Sequence, residues 1–142
     1  MRKLQDALSY FEKAVEVNPS MPEALFNAGV TSAAMGDATK AENFYTRAIQ
    51  VMPTLAVAYN NRGDVRRNLR RYQEAIEDFS RADQLAPRNP VIRRNLIRAF
   101  IEAGDPATAE RIRQESLASG VSLDAPNIQI PVQPTAPATV HD

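Results

Sequence analysis

A spacing of thirty-four residues runs through this chain and limits what it can fold into more than any other feature. Pro19, Pro53 and Pro87 fall at that interval, as do Ala7, Ala41, Ala75 and Ala109. Phe11, Tyr45 and Phe79 keep the same step, and so do Ala14, Ala48 and Ala82, and the pair Gly29 and Gly63. A period in this range builds stacked copies of one small unit, each touching its neighbours, in place of a single wound core. Such stacks mostly present surfaces that hold other chains, so the question becomes which partner and not which reaction.

Within each period the apolar spacing is helical. Leu4, Ala7, Leu8, Phe11, Ala14 and Val15 step by three or four and share one face. Helix ends are marked as well. Ser20 stands three before Glu23, the spacing of a reciprocal cap. Asn89-Pro90 and Asp105-Pro106 set an acceptor at the N-cap and a proline in the first turn. Gly36-Asp37 and Gly104-Asp105 end one helix with glycine and open the next with a cap. The pattern predicts seven helices, over about 2–17, 21–35, 38–51, 55–69, 72–85, 90–103 and 106–118. Short connections of this kind join antiparallel pairs. Residues 121–142 hold four prolines and no lysine or arginine, which predicts an extended or disordered tail.

Composition removes several classes of function. Seventeen basic and seventeen acidic residues cancel, so nothing draws the whole chain to nucleic acid or an anionic membrane. The absence of cysteine excludes disulfides, thiolate catalysis and cysteine-based zinc sites. The single histidine, His141, is next to the last residue. No apolar run approaches the length of a membrane span, and the first residues lack a signal-peptide core. There is no phosphate loop, no glycine-rich nucleotide turn and no Ser/His or Cys/His pair. Glu42, Glu74 and Glu110 read as solvated helix charges. No catalytic residue, metal or cofactor is expected, and the chain reads as a soluble protein of the cytoplasm.

Two stretches, roughly 22–55 and 56–89, resemble the tetratricopeptide repeat. The first carries Leu25, Gly29, Ala41, Tyr45, Ala48 and Pro53; the second carries Tyr59, Gly63, Ala75, Phe79, Ala82 and Pro87. Small residues let two helix axes approach, the aromatic fills the space between pairs, and proline turns the chain into the next unit. The resemblance implies an all-α, right-handed superhelix of antiparallel helix pairs. Residues 1–18 match only the second helix of a unit. Residues 90–118 match a degenerate capping unit, with Arg113, Ser116 and Val121 where the aromatic, alanine and proline belong.

In this family the first helix of each pair lines the concave side, which implies a groove for an extended peptide or a partner helix. The faces so implied read Glu23, Phe26, Asn27, Val30 and Ala34; then Val57, Asn60, Asn61, Asp64, Arg67 and Asn68; then Val91, Arg94, Asn95, Arg98 and Glu102. Asn27, Asn61 and Asn95 recur in register and are similar to the asparagine ladder of O-linked N-acetylglucosamine transferases, which implies binding of a peptide backbone. The competing reading gives these amides to helix-to-helix hydrogen bonds. Residues 62–98 hold ten arginines against five acids. Of these, Arg67, Arg94 and Arg98 are expected to face the groove and attract an acidic segment. Arg66, Arg70, Arg71 and Arg93 are expected on a solvated surface. Phe26, Val30 and Val57 are expected to add an apolar patch. A chaperone-type carboxylate clamp is not expected, because Phe26 and Val30 stand where its first lysine and asparagine would be.

Leu4, Leu8, Phe11 and Val15 on the opening helix either form a docking face, for a partner or for self-association, or stack on the next pair. The alternating segment Asn127-Ile128-Gln129-Ile130-Pro131-Val132 could lie across a groove. The expected activity is that of a non-enzymatic scaffold. Two alternatives stand beside it: a peptide-presenting arm of a larger enzyme, such as a glycosyltransferase, and a structural subunit docked through its first helix.

Overall fold

The computed structural model describes residues 1–124; the alternating segment at 127–132 and His141 lie outside them. Seven α-helices make up the described part: α1 (Arg2–Val17), α2 (Pro22–Ala34), α3 (Ala38–Val51), α4 (Ala56–Asn68), α5 (Tyr72–Leu85), α6 (Pro90–Glu102) and α7 (Pro106–Ala118). Every helix packs on the one before and the one after it. In addition α2 touches α4 and α4 touches α6, whereas α1, α3, α5 and α7 make no such contacts with one another. Drawing the even helices together while the odd ones splay curves an all-α solenoid toward its even side, so α2, α4 and α6 line the concave face.

Three helices open on the side-chain caps that the sequence marks. Asp37 accepts from the Lys40 amide, Asn89 from the amides of Val91 and Ile92, and Asp105 from that of Thr108. These side chains satisfy amides that the first turn leaves without helical partners. The Ser20–Glu23 cap does not form. Met21 is the N-cap of α2, Pro22 opens the helix, and the Ser20 amide donates to Asn18 Oδ1. Gly36 and Gly104 end α2 and α6 at φ +81° and +87°. The same place after α4 is taken by Arg70 at φ +62°, a left-handed backbone that a side chain disfavours.

Two exchanges of size fix the pairs. A Cβ on Gly29 would stand 2.6 Å from the Tyr45 ring, and one on Gly63 would stand 2.9 Å from the Phe79 ring. Tyr45 and Phe79 are among the largest fully buried side chains. In the last pair Ile97 occupies the register place of those glycines and Arg113 that of the rings. Ile97 is buried in a cluster with Ala109 and Ile112, while Arg113 is exposed. The bulk has moved from the second helix to the first, and α7 turns a polar surface outward.

Candidate functional site

The three amides of the concave face do not behave alike. Asn95 Nδ2 donates to Asn60 Oδ1 at 3.0 Å, joining α6 to α4, and Asn60 Nδ2 donates to Asn61 Oδ1 at 3.3 Å. Asn61 sits against the Tyr45 hydroxyl, whose pKa burial pushes up to about 12 while the neighbouring amide pulls the other way. A polar chain therefore runs from α6 through α4 to α3. Asn60 is 5 % exposed and belongs to this chain's interior, not to an accessible groove wall. Asn61 and Asn95 remain half-exposed with part of their hydrogen-bonding capacity unused. Asn27, half-exposed on α2, has no side-chain hydrogen-bond partner among the described residues.

Charge on the concave face is more balanced than the arginine count suggests. Arg67 is held between Asp64 at 3.0 Å and Glu102 at 3.1 Å. Burial works against its charge, but the two carboxylates outweigh that and raise its pKa. Arg94 is half-buried on α6, and Arg98, one turn on, is exposed. The apolar patch shrinks to Val30, which is 40 % exposed. Phe26 packs on Tyr45 with ring centroids 5.9 Å apart, and Phe26 and Val57 are 7 % and 3 % exposed. Both lie at the helix-to-helix seam, where burial of their side chains closes the stack.

The remaining arginines build an ion-pair cluster that the sequence did not reveal. Arg62 reaches Asp78 through both Nε (3.0 Å) and Nη2 (2.7 Å), and Arg66 adds a contact from Nη1 to Asp78 at 3.0 Å. Arg66 and Arg71 also converge on Glu42, at 2.7 and 2.9 Å. Arg93 pairs with Asp83 at 2.7 Å. Arg66, Arg93 and Glu42 are thus half-buried partners across α3, α4, α5 and α6, not solvated helix charges. These pairs join residues 10 to 29 apart in sequence, a separation at which no helical spacing signals contact. Arg70 alone of the four arginines assigned to the solvated surface is exposed.

The opening helix stacks on the next pair. Leu8 and Val15 are buried at 8 % and 5 %, in one core cluster with Leu25, and Leu4 and Phe11 are half-buried. Leu8 and Val15 are therefore unavailable as a docking face. The exposed large apolar side chains of α1 are Tyr10 and Val17, with Met1 just before it.

An open stack of helix pairs with a lined concave side defines the class: an all-α repeat solenoid. Sequence models of the tetratricopeptide repeat match residues 1–53 and 69–121, and the chain belongs to that family. No curated protein sequence matches it. Solved structures share the fold. A crystal structure of MamA superposes with a TM-score of 0.78 at 21 % identity, over 81 % of this chain and 63 % of that one. MamA 41-end from Desulfovibrio magneticus RS-1 gives 0.77 at 20 % identity, over 87 % and 70 %. The first tetratricopeptide domain of Spaghetti (RPAP3), bound to the HSP90 peptide SRMEEVD, gives 0.70 at 22 % identity, over 72 % and 81 %. The chain thus spans just under two thirds of the length of that first MamA structure.

Proposed function

We propose that this chain is a non-enzymatic scaffold whose concave face, along α2, α4 and α6, cradles an extended peptide with acidic side chains. The observation that carries the reading is the row of half-exposed amides on three successive inner helices, Asn27, Asn61 and Asn95. Each can offer a donor and an acceptor to a peptide backbone. The bond from Asn95 to Asn60 and the neighbouring Tyr45 fix the orientation of two of these amides before any ligand arrives, which lowers the entropy lost on binding. Arg98 adds an exposed planar fork suited to carboxylate.

The Spaghetti domain, a neighbour of the same fold, was solved with an acidic peptide, which supports a peptide as the ligand class. A chaperone-type carboxylate clamp is no part of this reading. Phe26 occupies the place of the first basic anchor and is buried against Tyr45. The test is selection from a displayed library of random twelve-residue peptides on the full chain. Selected peptides should be rich in Asp and Glu. Arg98→Glu and Asn27→Ala, which leave the amide chain intact, should each weaken the selected peptide by roughly tenfold, the size of one lost hydrogen bond or charge pair. A library that yields no enrichment, or peptides indifferent to both substitutions, would sink the reading.

A further inference from the structure

We propose that Glu102 is a built-in competitor for Arg67, seated where a carboxylate of the bound peptide would go, so that binding exchanges one acid for another. The exchange presupposes the acidic-peptide reading and sets the affinity of that same groove. The sequence predicts Arg67 as a groove cation that attracts an acidic segment. In the structure it is already taken, by Asp64 of its own helix at 3.0 Å and by Glu102 of α6 at 3.1 Å.

Two arginines of α4 show how a structural pair differs from an exchangeable one. Arg62 grips Asp78 through Nε and Nη2, the side edge of the fork, and takes both carboxylate oxygens at 3.0 and 2.7 Å. The Asp78 side chain is 4 % exposed, nearly closed to water. Arg67 meets Glu102 through Nη1 alone, at 3.1 and 3.4 Å to the two oxygens, and meets Asp64 through Nη2. Its Nε is buried and has no hydrogen-bond partner among the described residues. The edge that gives the strongest two-point geometry is therefore half used. The side chains of Glu102 and Asp64 are 31 % and 47 % exposed, so either can return to water when another acid takes its place.

Glu102 is also an acid in an unfavourable place. It is the last residue of α6, where the unpaired carbonyls make a negative end that favours cations. Arg98 stands four residues before it, in the order that gives the weaker helical pair, and no ion pair joins the two. Arg98 is exposed. A peptide carboxylate is not tethered to α6 and can settle against Arg98 as well as Arg67. Nothing in the repeat requires the internal pair: the register places of Arg67 and Glu102 in α2 are Ala33 and Ala34.

The probe is a fluorescent twelve-residue peptide of alternating aspartate and alanine, blocked at both ends, titrated into the full chain and followed by polarisation. Glu102→Ala should bind it about fivefold tighter than the parent, the factor an exposed ion pair withholds by keeping part of the population closed. Glu102→Ala with Arg67→Ala should lose that gain. Glu77→Ala, which removes the same charge from α5, should stay within about twofold of the parent. Equal binding by the parent and Glu102→Ala would overturn the exchange and leave the peptide reading standing. So would a gain that survives the loss of Arg67, or one that Glu77→Ala reproduces. If none of the four chains binds the peptide, the acidic-peptide reading falls and the exchange falls with it.

Discussion

Asn95 donates its side-chain amide to Oδ1 of Asn60, thirty-five residues earlier and one helix pair away, at 3.0 Å. Asn60 is buried and passes the chain of amides on to Asn61. Residues proposed to meet a ligand thus also tie α4 to α6. The two uses are compatible, since an amide held by one bond keeps capacity for another. Asn60→Ala should remove both bonds and destabilise the chain by about 1–2 kcal/mol, leaving the half-exposed Asn61 and Asn95 to bond water, and Asn95→Ala should cost no less because it strands the buried Oδ1 of Asn60. Urea midpoints for the two single variants and the double variant will show it: the double should cost less than the sum.

Gly29 and Tyr45 form a pair in which space is shared at the level of single atoms. Adding a methyl at Gly29 brings it to 2.6 Å from the ring, so Gly29→Ala should destabilise by roughly 1–3 kcal/mol. Shrinking the partner should relieve the clash. Gly29→Ala with Tyr45→Leu should be more stable than the sum of the single changes by about 1 kcal/mol, read from a thermal double-mutant cycle. The exchange of Ile97 and Arg113 in the last pair is the same trade, already made within this chain.

Arg70 holds a left-handed backbone where Gly36 and Gly104 serve the other pairs. Its side chain is exposed. A side chain in this conformation costs about 1–2 kcal/mol. Glycine gives back about 0.5–1 kcal/mol through the freedom of the unfolded chain. Arg70→Gly should therefore stabilise by roughly 0.5–1 kcal/mol, seen as a higher urea midpoint with an unchanged slope.

The convergence of Arg66 and Arg71 on Glu42 predicts a pH dependence. Burial alone would raise the Glu42 pKa, but the bonds from Arg71 and Arg66 prevail and hold it below the ordinary carboxylate value. A group with a depressed folded pKa adds stability above its unfolded pKa and loses it as pH falls through the folded one. Glu42→Gln should hence destabilise most at pH 6–7. The gap between variant and parent should close as the pH drops below about 4. Urea midpoints measured across that range will decide; a gap independent of pH would remove the carboxylate's charge from the account.

The helices were legible because their signals are local. Apolar residues at steps of three and four, a glycine or a proline at an end, and an aspartate or asparagine before a first turn all act within a few residues of themselves. Where two local signals competed the reading failed: Ser20 and Glu23 have the spacing of a cap, yet Pro22 opens α2 behind Met21 and the Ser20 amide turns back to Asn18. The inner face was legible in outline, since Asn27, Asn61, Asn95 and Arg98 are half-exposed or exposed on the even helices. Its composition was not. Phe26 and Val57 share a helical face with Asn27 and Asn61, and only the angle at which α2 and α4 meet their neighbours turns them into the seam.

The sequence by itself determined the repeat, the number and limits of the helices and the order in which they stack, because a thirty-four-residue period places equivalent side chains at equivalent contacts. The tertiary structure alone decided which charges are free and which are partnered. Arg62 and Arg66 find Asp78, Arg71 finds Glu42, and Arg67 finds Glu102 across helices far apart in the chain. Periodicity tells on which side of its own helix a side chain lies; what stands opposite depends on how neighbouring helices are rotated and offset, and in two of the pairs that is set by fitting a ring against a glycine.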